Sequence, residues 1–106
     1  MKKYEIVKEH HEFDDVLKKG SCKKCIYVYI YNKDNNLKIS RFGIAAGKKL
    51  GNAVTRNRVK RRYRMIINNN KNMFQKGKDY IIIVKRSAVD ASYKTINEDI
   101  VRLLEK

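Results

Sequence analysis

Five arginines, Arg56, Arg58, Arg61, Arg62 and Arg64, fall within nine residues of a chain that otherwise prefers lysine, with eighteen Lys to eight Arg. A guanidinium offers a planar fork that matches phosphate and base edges bidentately, which an ammonium cannot. Concentrating the minority cation in one place therefore points to a geometric demand as well as a demand for charge. The surroundings agree. No acidic residue occurs between Asp34 and Asp79, and the thirteen basic residues of that interval carry +13 of the formal net charge of +15. Residues 1–34 sum to +2 and residues 79–106 to zero. A solvated basic face is usually diluted with Glu and Asp, so a stretch purged of acids reads as a surface for a polyanion.

Two other groups of residues could do chemistry. Cys22 and Cys25 form a C-x-x-C with His10 and His11 upstream, a set able to offer Zn²⁺ two thiolates and an imidazole. A lone C-x-x-C is a weak signal, and Cys25 fits the start of a strand, so the pair reads as structural and no metal site is expected. The two histidines are adjacent and have no nucleophile partner at sequence level. Acidic residues are missing where the cations are densest, which excludes a protein-built two-metal site there. Asp14, Asp15 and Asp79 are left as residues that could support metal ions bound to a nucleic acid, with no spacing that requires it.

These residues need elements to position them. Phe13, Val16 and Leu17 have i, i+3, i+4 spacing before Gly20, predicting a short amphipathic helix over residues 10–19. Residues 25–31 alternate, with Ile26, Val28 and Ile30 on one face and Tyr27, Tyr29 and Tyr31 on the other, which predicts a strand. A turn at residues 33–36 leads to a second strand over 39–46, with Phe42, Ile44 and Ala46 sharing a face. After a Lys- and Gly-rich loop at 47–51, a helix is predicted over 52–67, capped by Asn52 or Thr55 and ended by Asn68, Asn69 and Asn70. At about 100° per residue, Val59, Tyr63, Ile66 and Ile67 form its inner stripe, and Asn57, Arg58, Lys60, Arg61 and Arg64 its outer arc. Arg56 and Arg62 flank the apolar stripe. Residues 80–84 form a continuous apolar run suited to a strand buried on both faces. A last helix over 92–105 turns Tyr93, Ile96, Ile100, Leu103 and Leu104 inward. The predicted order is α-β-β-α-β-α, in a single α/β or α+β domain covering residues 1–106.

The opening residues are basic but lack a following apolar stretch, and the longest apolar run, residues 25–31, is too short to span a bilayer. Two cysteines make no disulfide scaffold. The expectation is a reduced, cytoplasmic protein with no membrane association. Net charge alone is equally compatible with a basic protein that binds no nucleic acid, or with one that binds a membrane surface.

Residues 41–64 carry a resemblance that separates these readings. A strand ending in G-x-x-x-x-K-K-x-G-N-A-V, residues 43–54, leads into R-N-R-x-K-R, residues 56–61. Together they resemble the signature of the bacterial ribonuclease P protein subunit. The likeness extends to Phe13, Gly20, the tyrosine-bearing strand and the apolar strand before Lys85 and Arg86, and so covers nearly the whole chain. It implies a two-layer α/β (α+β) sandwich of the ribosomal protein S5 domain 2-like type, with a left-handed βαβ crossover. It also implies a protein that pairs with a catalytic RNA to remove 5′ leaders from precursor tRNA, with hydrolysis and Mg²⁺ binding left to the RNA. No catalytic side chain and no obligatory protein partner are implied. By the same resemblance, Arg56, Asn57, Arg58, Lys60, Arg61, Arg62 and Arg64 meet the catalytic RNA. Phe13, Leu17 and Tyr31 line a cleft for the single-stranded leader, with Lys48, Lys49, Asn52, Lys85 and Arg86 around it. From spacing alone Phe13 is core, Tyr27, Tyr29 and Tyr31 are a half-buried sheet face, and Lys85 with Arg86 is a solvated strand end. The rival functions are a ribosomal or assembly protein that binds structured RNA, and a stand-alone nuclease, for which the sequence offers no active site.

Overall fold

The computed structural model describes residues 5–7 and 9–105. Residues 1–4 and 8, on which part of the reading of the N-terminus rests, lie outside that set. The elements run α1 (His10–Lys19), β1 (Ser21–Lys24), β2 (Val28–Asp34), β3 (Arg41–Ala45), α2 (Ala53–Asn69), β4 (Lys78–Val84) and α3 (Tyr93–Leu104). The six expected elements appear in the expected order, with β1 added. The strands form one mixed sheet in the order β1-β2-β4-β3. β1 pairs with β2 and β2 with β4 antiparallel, whereas β3 lies parallel to β4 and is joined to it through α2.

β4 is central and apolar for the reason its sequence gives: both of its faces are covered. Tyr80, Ile82 and Val84 join Val28, Ile30 and Phe42 beneath Val59, Tyr63, Ile66 and Ile67 of α2 and Ile96 and Ile100 of α3. Ile81 faces the other way, onto Val7 and Val16, with Phe13, Leu17, Tyr31 and Ile83 packed around them. Phe42, Phe74 and Tyr80 close the main core with ring centroids 5.0–5.7 Å apart.

The helix ends follow local chemistry. Asn52 Oδ1 accepts the Thr55 N–H at 2.9 Å and so caps α2, while Ser92 Oγ accepts the Thr95 N–H at 3.2 Å and caps α3. Asn70 ends α2 by donating its side-chain amide to the Ile66 carbonyl at 2.8 Å. Gly20 closes α1 in extended backbone, not the left-handed conformation. It is required by crowding: a Cβ there would sit 2.5 Å from the carbonyl oxygens of Val16 and Asn32.

The first strand departs from expectation. Residues 25–27 are not strand; they form the turn of a hairpin between β1 and β2, closed by the Cys25 N–H donating to the Val28 carbonyl at 2.9 Å. Ile26 is consequently exposed rather than aligned with Val28 and Ile30, and Tyr27 packs toward the helical core, away from Tyr29 and Tyr31. The cause lies across the chain. The buried Asp99 carboxylate of α3 accepts the N–H groups of Ile26 and Tyr27 at 3.2 and 3.1 Å, which pins the turn.

Candidate nucleic-acid interface

α1 crosses one end of the sheet. Its Glu12 accepts Arg41 Nη2 at 2.7 Å at the start of β3, its Asp15 pairs with Lys33 of β2, and its C-terminal Gly20 meets Asn32. Phe13 packs directly against Gly43, where a Cβ would overlap the ring. The same sheet face continues past α1 as Tyr29, Ile83 and Ala45, all half-buried, because strand register puts them on the side of Tyr31, Ile81 and Gly43. Phe13, Leu17 and Tyr31 pack together around Val7, Val16 and Ile81, on the face where the resemblance implies a leader cleft.

The polar residues assigned around that cleft behave differently from one another. Lys48 and Lys49 are exposed on a 3-10 turn following β3, and Lys85 and Arg86 follow β4 at the same end of the parallel pair. Arg86 is exposed. Lys85 is engaged: its Nζ donates to the Cys25 carbonyl at 2.6 Å and lies 4.3 Å from the Tyr29 ring centroid. Asn52 uses its carboxamide oxygen to cap α2. Tyr31 is paired across the ladder with Cys22, and the hydrogen bond between thiol and hydroxyl holds the Tyr31 phenol above its ordinary range. Tyr29, Ile83 and Cys22 lie on the same sheet face, and the sequence reading did not assign them. The alternation of 25–31 already marked Tyr29; the other two depended on register.

α2 presents its cations as the 100° repeat requires. Val59, Tyr63, Ile66 and Ile67 are buried, and Asn57, Arg58, Arg61 and Arg64 are exposed on the opposite arc. Burial pushes the Tyr63 hydroxyl up, and that oxygen has no hydrogen-bond partner among the described residues. Arg56, Lys60 and Arg62 lie half-buried at the margins. Arg62 donates to the Ala91 carbonyl at 3.2 Å, while Arg56 Nε is enclosed without an acceptor. Val54, 77% exposed, and Met65, 52% exposed, extend the stripe of Arg58 and Arg61 at helical spacing, apolar contacts the sequence reading left out.

The chain's own charges explain why this arc stays free. Asp79 accepts Arg41 Nε and Nη2 at 2.8 and 2.6 Å and Asn35 Nδ2 at 2.9 Å. The Asp79 hydrogen bond, with Glu12 adding to it, pushes the Arg41 pKa up. Lys33 and Lys19 hold the Asp15 carboxyl below its ordinary value, Asp34 pairs with Lys78, and His10 lies 3.6 Å from Asp14. Among the described residues no arginine of α2 is in an ion pair, and no three His, Cys, Asp or Glu side chains are placed to hold a metal ion. No helix among them is long and apolar enough to cross a membrane.

A mixed sheet backed by a helix whose outer face is guanidinium in no ion pair among the described residues, with half-buried aromatic side chains on the sheet's other face, defines an α+β RNA-binding protein. The chain belongs to the Ribonuclease P family, whose profile matches residues 1–106. It is 36% identical to the ribonuclease P protein component of Mycoplasma mycoides subsp. mycoides SC, over 100% of this chain and 98% of that one. Among solved structures it resembles a Staphylococcus aureus RNase P protein mutant with defective mRNA degradation activity, with a TM-score of 0.89 and 31% identity over 97% of this chain and 87% of that one. The RNase P protein from Thermotoga maritima gives a TM-score of 0.87 at 28% identity, covering 95% of this chain and 96% of that chain. The chain is thus the protein component of an endoribonuclease that matures tRNA 5′ ends.

Proposed function

We propose that the two surfaces divide the work of ribonuclease P: α2 holds the catalytic RNA, and the cleft between α1 and the sheet holds the 5′ leader of precursor tRNA. The single observation that carries this reading is the exposed guanidinium arc of Arg58, Arg61 and Arg64, in no ion pair among the described residues, while Asp15, Asp34 and Asp79 are engaged elsewhere. Phosphate neutralisation supplies most nucleic-acid affinity, and an A-form RNA presents phosphates and shape to such a helix, not a readable major groove. Arg56, Asn57, Lys60 and Arg62 complete that surface. In the cleft, Phe13 and Tyr31 offer rings on which unpaired bases stack, a contact that tolerates any leader sequence. Leu17, Lys48, Lys49, Asn52, Lys85 and Arg86 border them; Lys85 and Asn52 act there through the hairpin and the helix cap they hold. The hydrolytic Mg²⁺ belongs to the RNA in this reading, supported by Asp79 and Asp15 being occupied by Arg41, Asn35, Lys33 and Lys19. Cys22 and Cys25 serve the hairpin and cleft wall and hold no metal. The protein acts in the cytoplasm without an obligatory protein partner.

The test is Phe13→Ala in the holoenzyme. Affinity for precursor tRNA should fall by about five- to a hundredfold, the equivalent of one lost stack, with affinity for mature tRNA and for the catalytic RNA unchanged. If Phe13 is only core, the substitution instead lowers stability by about 3–5 kcal/mol and spares the difference between the two tRNAs.

A further inference from the structure

The hairpin between β1 and β2 turns without turn residues. Cys25, Ile26 and Tyr27 include no Gly, Pro, Asn or Asp, and none of the three has a positive φ. The turn is held from outside instead, and all six of its backbone groups are engaged. The Cys25 N–H donates to the Val28 carbonyl at 2.9 Å, and the Ile26 and Tyr27 N–H groups donate to the two Asp99 carboxylate oxygens at 3.2 and 3.1 Å. The Cys25 carbonyl accepts Lys85 Nζ at 2.6 Å, the Ile26 carbonyl accepts Ser87 Oγ at 3.3 Å, and the Tyr27 carbonyl accepts the Lys85 N–H at 2.8 Å.

Asp99 is 6% exposed and in no ion pair among the described residues. Burying a carboxylate is costly unless hydrogen bonds offset it, and this one is devoted to two amides of a surface hairpin. What the turn fixes lies on the other side of the sheet. Alternation along and beyond β4 puts Lys85 on the face of Ile81 and Ile83, toward α1. There its ammonium stands 4.3 Å from the Tyr29 ring centroid, with the Cys25 carbonyl as its second anchor. An ammonium has three donors, so this placement leaves capacity for a phosphate oxygen while holding the charge beside the tyrosine. A lysine already held in this way gives up less rotamer freedom when it meets a nucleic-acid strand.

We propose that Asp99 is a positioning residue for leader binding: by holding the Ile26 and Tyr27 amides from the α3 side, it fixes the Cys25 carbonyl that aims Lys85 Nζ across Tyr29. This rests on the reading that the leader lies on the α1 face of the sheet. Asp99 touches no RNA and acts through the turn alone.

Asp99→Asn keeps the shape of the side chain but leaves one of the two N–H groups without an acceptor. In the reconstituted enzyme its affinity for precursor tRNA should fall by about threefold or more, with affinities for mature tRNA and for the catalytic RNA unchanged. In the double variant with Lys85→Gln the two losses should not add, because both remove the same anchored ammonium. Additive losses, a loss shared equally by precursor and mature tRNA, or a lower melting temperature with the preference for precursor kept, each overturn the proposal. Phe13→Ala run in parallel separates the two readings. If it loses the preference while Asp99→Asn keeps it, the leader reading stands and the role of Asp99 falls; if both keep it, both fall. The parent enzyme gives a second readout that is independent of how the variant folds. Linkage is reciprocal, so precursor tRNA, compared with mature tRNA, should slow hydrogen exchange at the Ile26 and Tyr27 amides that Asp99 holds. Equal exchange in the two complexes overturns the proposal.

Discussion

Arg41 and Arg61 carry the same group to opposite ends. Arg41 lies half-buried between Asp79 and Glu12, where a guanidinium without its carboxylates would be costly, and it ties α1 to the sheet. Arg61 stands exposed on α2, in no ion pair among the described residues. Both fall in the interval without acids, and sequence position does not distinguish them. The acids that take up Arg41 lie 29 and 38 residues away. For the same reason the capture of the Ile26 and Tyr27 amides by Asp99, 73 and 72 residues distant, left no trace in the local pattern. The exposed arc itself was legible, because helical periodicity needs only neighbours. At this scale the account expects Arg58, Arg61 and Arg64, changed together to Lys, to weaken binding to the catalytic RNA by about tenfold or more although charge is kept, since the bidentate forks are lost. Changed to Ala, they should weaken it further and flatten its salt dependence. Binding by the Lys variant that equals the parent's, at every salt concentration, would mean that charge alone is read.

Elements were legible in proportion to how much apolar surface they bury. β4, α2 and α3 declare themselves through continuous or periodic apolar residues, and their inner faces are those expected. β1 could not be found that way. All four of its residues are exposed and polar, and it exists as an edge strand through its ladder to β2. Its lysines Lys23 and Lys24 also guard that edge against pairing with another chain. α1 is the intermediate case, since its apolar spacing fixed the helix while its seat on the sheet depends on ion pairs to Arg41 and Lys33. The Asp15 carboxyl is held low first by the hydrogen bond from Lys33 and then by that from Lys19. A carboxyl lowered on folding contributes stability that is fully present above its unfolded pKa, near 3.9, and lost as pH falls through the lower folded value. An NMR titration of the Asp15 carboxyl should therefore show a midpoint below about 3.9, and Lys33→Met should move it up. A midpoint at the ordinary value in the parent would detach Asp15 from the seating of α1.

Across the whole molecule the charges are sorted. Acids and their partners gather where α1 crosses the sheet, Asp99 pins the hairpin, and the helix on the other face keeps its guanidinium groups for something outside the chain. That division is what a protein needs if it positions RNA and leaves bond breaking to its partner. The self-repulsion of +15 is then relieved by the polyanion it binds. The composition showed this imbalance from the start; which cations remain free required the fold. The most direct test is cleavage of precursor tRNA at low magnesium by the purified protein, by a bacterial ribonuclease P RNA, and by the two together. The account predicts no cleavage by the protein, little by the RNA, and efficient removal of the leader by the pair. Cleavage by the RNA-free protein, abolished by a single substitution in it, would contradict the account.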